Sequence, residues 1–250
     1  MLTFLVYSKE MIKEGWMLRK DNFLSYLVMP SFEYTEQVLH GITTKEAGNF
    51  TSNNQELREK ISALFGVKPE KMVFVTQVHG DKIYVAREVK QNHISQADGL
   101  ITNIPEICLV IKVADCVPIF ILDSKNKAIG LVHAGWRGMV KCIVQKAISK
   151  MSTLYGSQPK DLLVGFGPSI GACCYKVGHE VLKKVFCDEE VVKNGYLDLQ
   201  KANKIQLLEL GILEENIILT QYCTYHDSNL FFSHRRGEEG RMLSILQLRK

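Results

Sequence analysis

The chain has 250 residues, of which 46% are hydrophobic, 23% charged and 9% aromatic, a composition typical of a globular protein with a sizeable core. Its net charge of +4 comes from 31 basic and 27 acidic residues, a surplus too small and too scattered to indicate a nucleic-acid-binding protein. Seven cysteines, an odd number, do not fit a disulfide-stapled secreted protein. We therefore expect free thiols and a cytoplasmic location.

No segment indicates targeting or a membrane span. The apolar run at residues 2–7 lacks a preceding basic region and soon meets Lys9, so it is too short for a signal core. No run approaches the ~18 apolar residues of a transmembrane helix. A second methionine, Met17, makes residues 1–16 a possible N-terminal extension. Because repeats and flexible linkers are absent, residues 1–250 are predicted to form a single domain.

The first half of the chain is predicted to contain one helix followed by strands. Helical spacing of apolar residues covers 54–65 and stops at Gly66. Short β-branched runs then predict strands at residues 72–78, 82–86, 107–113 and 117–122. The pair Gly80-Asp81 separates the first two strands and predicts a hairpin.

In the second half, helices and strands do not alternate strictly. In chain order, the pattern predicts strand 128–132, helix 140–154, strand 162–166, helices 180–186 and 199–210, and strands 216–220 and 242–248. The strand runs are apolar on nearly every residue, so we expect sheets covered on both faces. These features together predict an α+β fold built in layers, not a doubly wound sheet.

Three segments place a potential metal ligand at a predicted strand end next to glycine. They carry His79 before Gly80, Cys116 after Asp115, and His133 shortly before a glycine. A strand end is a rigid mount, and glycine lets a ligand approach the backbone closely. Two nitrogens and one sulfur would leave the fourth tetrahedral position of zinc open, as in catalytic sites. The alternative is that the histidines are turn residues and the cysteine is a buried apolar thiol.

Five short motifs occur in a fixed order along the chain. They read TQVHG from residue 76, ADGLIT from 97, ADC from 114, HAGWRG from 133 and GPSIG from 167. Followed by Gly237 and by Gly240-Arg241-Met242, they closely resemble the bacterial YfiH/YlmD-type family. That family is purine nucleoside phosphorylase-like and was long described as polyphenol oxidase or laccase. The resemblance extends over residues 38–248.

The resemblance has consequences for fold, metal and activity. It implies a layered α/β/β/α sandwich with mixed sheets, similar also to the fold of a toxin deamidase. It implies a zinc site made by His79, Cys116 and His133. It also implies phosphorolysis of adenosine, inosine and S-methyl-5'-thioadenosine to free base and (methylthio)ribose 1-phosphate, together with adenosine deamination. The partners would then be a nucleoside and phosphate, although links of relatives to cell-wall precursor editing leave a nucleotide-sugar substrate open.

One segment departs from the family pattern. Members carry Arg-x-Gly-Gly-Val-Ser after a His-Gly pair near the N-terminus, whereas this chain has His40-Gly41 and then Lys45 at the expected arginine. Lysine keeps the charge but lacks the flat, forked donor geometry of arginine. If Lys45 binds substrate, we expect the affinity or specificity for that substrate to differ from that of family members with arginine at this position.

Three further residues are candidates for proton transfer or phosphate binding. Asp115 is predicted either to shuttle protons or to orient a ligating histidine, with a turn cap as the alternative. Arg137 lies in a glycine-flanked turn that opens the helix from Val140, where backbone N–H groups could join it in binding an anion. Arg241 is a second candidate for phosphate, with Arg235 and Arg236 nearby.

The residues also bear on copper chemistry. A multicopper oxidase needs about ten histidines for its copper sites, whereas this chain has seven and no His-x-His pair. Copper is therefore expected only as a substitute in the single site of two histidines and one cysteine. The adjacent Cys173 and Cys174 are too close in sequence to indicate a metal pair and are interpreted as packing residues.

Two other classes of function are compatible with these residues. One is a metal-free hydrolase or amidase with Cys116 as nucleophile and His133 or His79 as base. The other is a non-enzymatic metal-binding or partner-binding module. Metal content separates the zinc enzyme from the cysteine hydrolase, because a ligated thiolate should resist alkylation until zinc is chelated. Bound zinc without turnover of nucleosides would favour the module.

Overall fold

The computed structural model describes residues 15–21, 24–50, 55–88, 96–185 and 190–250. The strands are β1 (Met17–Asp21), β2 (Leu24–Val28), β3 (Val38–Thr43), β4 (Met72–Phe74), β5 (Ile83–Val85), β6 (Gly99–Thr102), β7 (Cys108–Val113), β8 (Val117–Asp123), β9 (Ala128–Ala134), β10 (Leu163–Phe166), β11 (Val192–Lys193), β12 (Tyr196–Leu197), β13 (Ile217–Ile218) and β14 (Met242–Leu248). The helices are α1 (Pro30–Glu33), α2 (Gln55–Phe65), α3 (Trp136–Val140), α4 (Ile143–Tyr155), α5 (His179–Leu182) and α6 (Leu199–Glu209). Within these ranges, no helix has the length and apolar character needed to cross a membrane.

Two six-stranded mixed sheets organise the fold. The first has the order β1-β2-β3-β14-β7-β4, and only its β4–β7 edge is parallel. The second has the order β13-β10-β8-β9-β6-β5, with parallel pairs at both edges. Strands β11 and β12 form a small separate hairpin.

The two sheets pack face to face, and helices cover their outer faces. Side chains of both sheets meet in one apolar layer that includes Leu109, Ile111, Leu246, Phe120, Leu122 and Leu131. Helix α2 covers the first sheet through Leu57, Ile61 and Phe65. Helices α4 and α6 cover the second sheet, for example through Ala147, Ile148 and Leu207. The predicted α+β fold with α/β/β/α layers is therefore confirmed.

The central strands of the second sheet are buried along their whole length. Every residue of β8 and of β9 is buried, as expected for apolar runs covered on both faces. Burial of each large aliphatic side chain stabilises the fold by about 1.5–3 kcal/mol. The functional residues at the ends of these strands are therefore attached to a rigid part of the molecule.

The predicted hairpin at Gly80-Asp81 is wrong. Strand β4 pairs with β7 in the first sheet, whereas β5 pairs with β6 in the second sheet. Residues 75–82 instead carry the chain from one sheet to the other. The backbone N–H groups of Val78 and Gly80 donate to the Asp98 carboxylate, 3.2 and 2.7 Å away. The conformation of this segment is thus stabilised by a carboxylate that is distant in sequence.

The helix predicted from Val140 is also different in the structure. The chain forms α3, breaks at Lys141 and Cys142, and then forms α4. Cys142 adopts a left-handed conformation with φ 57°, which interrupts the helical backbone. The helix predicted at 180–186 is reduced to α5, and the strand predicted at 216–220 is reduced to β13; residues 54 and 186 lie outside the described residues.

Trp16 belongs to the core although it lies in the segment 1–16. Its side chain is 4% exposed, and its indole N–H donates to the Phe166 carbonyl at 2.6 Å. The indole ring packs edge-on against Phe120, with ring centroids 5.3 Å apart. Residues 1–14 lie outside the described residues.

Candidate metal centre

The fold brings His79, Cys116 and His133 together. Strands β8 and β9 are antiparallel neighbours in which Pro118 pairs with His133, so Cys116, just before β8, lies beside His133. His79 reaches the same place through the crossing segment 75–82. One potential ligand atom of each residue lies within 4.8 Å of the other two. The three residues predicted to hold zinc therefore form one group.

Gly135 leaves room for this group. A Cβ atom at position 135 would lie 2.7 Å from Cys116 Sγ and 3.5 Å from His79 Cδ2. Real Cβ atoms essentially never come as close as 2.7 Å to another heavy atom. The absence of a side chain at Gly135 thus permits the approach of the thiol and the imidazole.

The Asp98 carboxylate forms hydrogen bonds with both histidines of the metal centre. Its buried carboxylate accepts hydrogen bonds from the backbone N–H of His79 at 2.9 Å and from His133 Nδ1 at 2.9 Å. With Nδ1–H donating to Asp98, the Nε2 atom of His133 is left to face Cys116. Such a carboxylate partner fixes the tautomer and orientation of a metal-ligating histidine. Sequence reasoning missed this role, although Asp98 stands in the ADGLIT motif.

Charge interactions within the group favour a thiolate. Burial alone would raise the pKa of the Cys116 thiol, but the adjacent His133 and His79 outweigh burial and lower it. Burial would likewise lower the pKa of His133, but Cys116 and Asp98 outweigh burial and raise it. Burial would raise the pKa of Asp98, but His133 and the backbone N–H groups of the crossing segment hold it below its usual range. The thiolate is the form of cysteine that binds metal.

The donor set fits zinc. Two imidazole nitrogens and one thiolate are ligands that zinc accepts in a tetrahedral site with one open position. The described part of the chain contains no group in which three histidines converge, as a three-copper cluster would require. The residues present could therefore hold a single zinc ion or a copper ion in its place.

An open cavity of about 930 Å³ lies over this group, a volume within the range of small-molecule sites. Two aromatic residues, Trp136 and Tyr175, contribute to its walls. The basic residues around it are Lys112, Arg137, Arg235 and Arg241. The cavity is thus suited to a ligand that has both a flat apolar part and an anionic part.

The arginine and lysine candidates take different positions. Arg137 lines the cavity with its guanidinium 4.4 Å from the centroid of the Trp136 ring, inside α3 and not in a turn before a long helix. Arg241 also lines the cavity and donates to the backbone carbonyls of Glu239 and Gly240. Lys45 is not among the lining residues, and its ammonium group pairs with Glu238. The structure therefore brings Arg137 and Arg241, but not Lys45, to the cavity.

Asp115 lines the cavity, but it does not orient a ligating histidine. Its two carboxylate oxygens accept hydrogen bonds from Thr224 Oγ1 at 2.6 Å and from the Arg235 backbone N–H at 2.7 Å. The prediction that Asp115 orients a histidine is therefore wrong, because Asp98 occupies that place. Asp115 connects the end of β7 to the loop that carries Arg235, and its role as a proton shuttle stays a prediction.

Comparisons of the sequence and fold with known proteins show which family this chain belongs to. Residues 43–249 match the family model described as multi-copper polyphenol oxidoreductase laccase. The purine nucleoside phosphorylase YlmD of Bacillus subtilis is 30% identical, with 86% of this chain and 90% of that protein covered. A purine nucleoside phosphorylase of Bacteroides thetaiotaomicron is 32% identical, with 82% of each chain covered. The crystal structure of the Bacillus licheniformis hypothetical protein YfiH is similar at a TM-score of 0.83 and 28% identity, covering 93% of this chain and 99% of that one. This chain therefore belongs to the family described as multi-copper polyphenol oxidoreductase laccase, which includes the YfiH and YlmD proteins.

Proposed function

We propose that this protein is a zinc-dependent purine nucleoside phosphorylase that also deaminates adenosine. Its substrates would be adenosine, inosine and S-methyl-5'-thioadenosine, with phosphate as the second substrate. Support comes from relatives named purine nucleoside phosphorylase at 30% and 32% identity. The observation that carries the proposal is the group of His79, Cys116 and His133 beside a cavity lined by arginines.

The chain's own residues would prepare the metal site. Asp98 would hold His133 in the tautomer that presents Nε2 to a metal, and Gly135 would leave space for the thiolate of Cys116. A zinc ion held there would supply Lewis acidity, which makes water a useful nucleophile near neutral pH. Deamination consumes water and releases ammonia, and therefore would not need phosphate.

Phosphorolysis requires an anion site beside the sugar. In this reaction a phosphate oxygen bonds to C1' of the ribose while the bond from C1' to the purine nitrogen breaks, and the purine takes up a proton. Arg137, Arg235 and Arg241 line the cavity and would bind the phosphate, because guanidinium groups pair with phosphate through two parallel hydrogen bonds. Trp136 and Tyr175 would offer apolar surface to the purine. Asp115 is the candidate for proton transfer, since its carboxylate also lines the cavity.

The geometry favours one further candidate function, a metal-free cysteine hydrolase. Cys116 lies beside His133, and His133 Nδ1 lies 2.9 Å from Asp98. Cys116 could thus act as nucleophile, His133 as base and Asp98 as the carboxylate that orients the base, an arrangement that enzymes use for covalent catalysis. Alkylation separates the two functions: a nucleophilic Cys116 should react at once, whereas a zinc-bound Cys116 should react only after chelation.

Product analysis tests the proposed function. The purified protein is incubated separately with inosine, with adenosine and with a nucleotide-sugar, each with and without phosphate, and the products are separated by chromatography. We expect hypoxanthine and ribose 1-phosphate only when phosphate is present, and conversion of adenosine to inosine in both conditions. Release of base without phosphate would make the protein a hydrolase. Turnover of a nucleotide-sugar in place of nucleosides would instead support a role in editing cell-wall precursors.

A further inference from the structure

A second group of potential metal ligands lies outside the cavity. It consists of Cys173, Cys174, Cys223 and His226, and one potential ligand atom of each lies within 4.8 Å of the other three. Cys173 Sγ is 3.6 Å from His226 Nδ1. These residues come from two segments far apart in sequence, so the fold brings them together.

We propose that these four residues bind a second zinc ion in a closed site of three thiolates and one imidazole. Zinc sites with four protein ligands of this kind are structural and leave no position for a substrate. Cys173 and Cys174, which the sequence alone indicated as packing residues, would then be metal ligands. It is independent of the chemistry at the first site.

The spacing of the four ligand atoms is compatible with zinc. Ligands at about 2.0–2.3 Å from zinc in a tetrahedron lie about 3.3–3.8 Å from one another. The ligand atoms here lie within 4.8 Å of one another, so closure around an ion needs movements of about 1 Å or less. Cys173 and His226 are exposed, and their side chains can make such movements without repacking the core.

The backbone around Cys223 is arranged to stabilise a thiolate. The Gly171 N–H donates to Cys223 Sγ at 3.2 Å. A Cβ at Gly171 would lie 3.1 Å from Cys173 Sγ and 3.5 Å from Cys223 Sγ. Glycine at this position therefore lets both sulfurs approach one point.

A cation accounts for the clustering of three sulfurs. The three sulfurs lie within 4.8 Å of one another, and as thiolates they would repel one another. An ion between them would remove that repulsion and keep all three deprotonated. Thiolates together with an imidazole are the soft ligands that zinc selects.

The second site would tether two walls of the cavity. Residues 219–241, between β13 and β14, contain neither helix nor strand, and irregular segments of this length are uncommon in compact domains. This segment supplies Arg235 to the cavity, and the segment with Cys173 and Cys174 supplies Tyr175. The two segments are also joined by an isolated bridge between Ser169 and Cys223 and by hydrogen bonds, among them one from the Arg235 side chain to the Lys176 carbonyl. Zinc would therefore hold the cavity walls in place from outside the reaction site.

Zinc analysis of surface variants tests the proposal without any substrate. Wild-type protein equilibrated with zinc alone should hold two ions per chain. Cys173→Ser and His226→Asn, both exposed positions, should each lose about one ion, whereas the control Cys142→Ser, at a free cysteine outside both groups, should lose none. Wild-type zinc content in both variants would overturn the proposal, as would an intact mass showing a disulfide in the wild-type protein.

The first of two further measurements uses only the wild-type protein, so it remains informative if a variant folds poorly. In zinc-loaded wild-type protein, alkylation of Cys173 should be slow and should accelerate after chelation. Immediate labelling of this exposed thiol in the zinc-loaded protein would overturn the proposal. Limited proteolysis within residues 219–241 should be faster in His226→Asn than in Cys142→Ser. Equal rates of cleavage would contradict the tethering role.

Discussion

Gly135 occupies a position where any side chain would enter the candidate metal centre. Gly135→Ala would place a Cβ 2.7 Å from Cys116 Sγ, while its φ of −79° is accessible to alanine. The effect should therefore be steric: we expect loss of the zinc held by this group and an unchanged circular dichroism spectrum. Zinc analysis and circular dichroism measure the two effects.

Gly178 provides a matched control for that substitution. It also precedes a short helix and has a φ of −82°, and a methyl group added at its Cα would meet no other part of the fold within 4 Å. Gly178→Ala should keep full zinc content. Full zinc content in Gly135→Ala would show that the thiol does not lie where the ligand set requires it.

Arg137 is the residue at which phosphorolysis and deamination should separate. If it binds phosphate, Arg137→Ala removes a charge-assisted hydrogen bond of roughly 1.5–3 kcal/mol. That corresponds to a loss of about 10- to 100-fold in kcat/KM for phosphorolysis, with a smaller loss for deamination. Steady-state kinetics of both reactions measure the difference. Arg87→Ala, at an exposed arginine outside the cavity lining, serves as control, and an equal loss of both reactions in Arg137→Ala would make Arg137 a structural residue.

Among the structural elements, the crossing segment 75–82 shows what sequence pattern could not reveal. Gly80-Asp81 between two apolar runs has the local signature of a hairpin. Whether the second run pairs with the first or joins another sheet depends on partners distant in sequence. Here β5 pairs with β6, and Asp98, which directly precedes β6, binds the backbone of the crossing segment. The site histidine His79 owes its position to that tertiary contact.

Asp98→Asn tests the support that this element gives to the metal site. The carboxylate accepts hydrogen bonds from the N–H groups of residues 78–80 and from His133 Nδ1. In asparagine, an NH2 group replaces one of the two carboxylate oxygens. This group is itself a donor, so it cannot accept the hydrogen bonds that the lost oxygen accepted. We expect an approximately 10- to 100-fold lower zinc affinity, measured by competition with a chromophoric chelator. Asp81→Asn, which alters an ion pair with Lys146 at the surface, should bind zinc as the wild type does, and equal affinities of all three proteins would contradict the positioning role.

For the whole molecule, the layered fold was predictable because the strands are apolar on nearly every residue. Runs such as β8 and β9 require cover on both faces; the first sheet covers one face, and the amphipathic helix α4 covers the other. The pairing order of the strands was not predictable, because local pattern carries no information about which strands are neighbours. The burial of Trp16 against Phe120 depends on the same long-range packing.

Part of the candidate site was predictable from the sequence, and part was not. His79, Cys116 and His133 follow from ligand chemistry and from motifs that resemble a known family. Asp98 could not be assigned, because a carboxylate beside a strand becomes an orienting group only when the fold places it behind a histidine. The grouping of Cys173 and Cys174 with Cys223 and His226 was equally hidden, since a loop without secondary structure brings the last two residues to the first two.

We propose that His79, Cys116 and His133 hold a zinc ion on a fold that does not depend on it. The most direct test is the zinc content of Cys116→Ala beside the wild-type protein, measured by elemental analysis on samples whose folding is checked by circular dichroism. Because three apolar clusters stabilise the fold without the metal, we predict the loss of one zinc per chain with an unchanged spectrum. An unchanged zinc content would contradict the ligand assignment, and an unfolded Cys116→Ala would show that this zinc is structural.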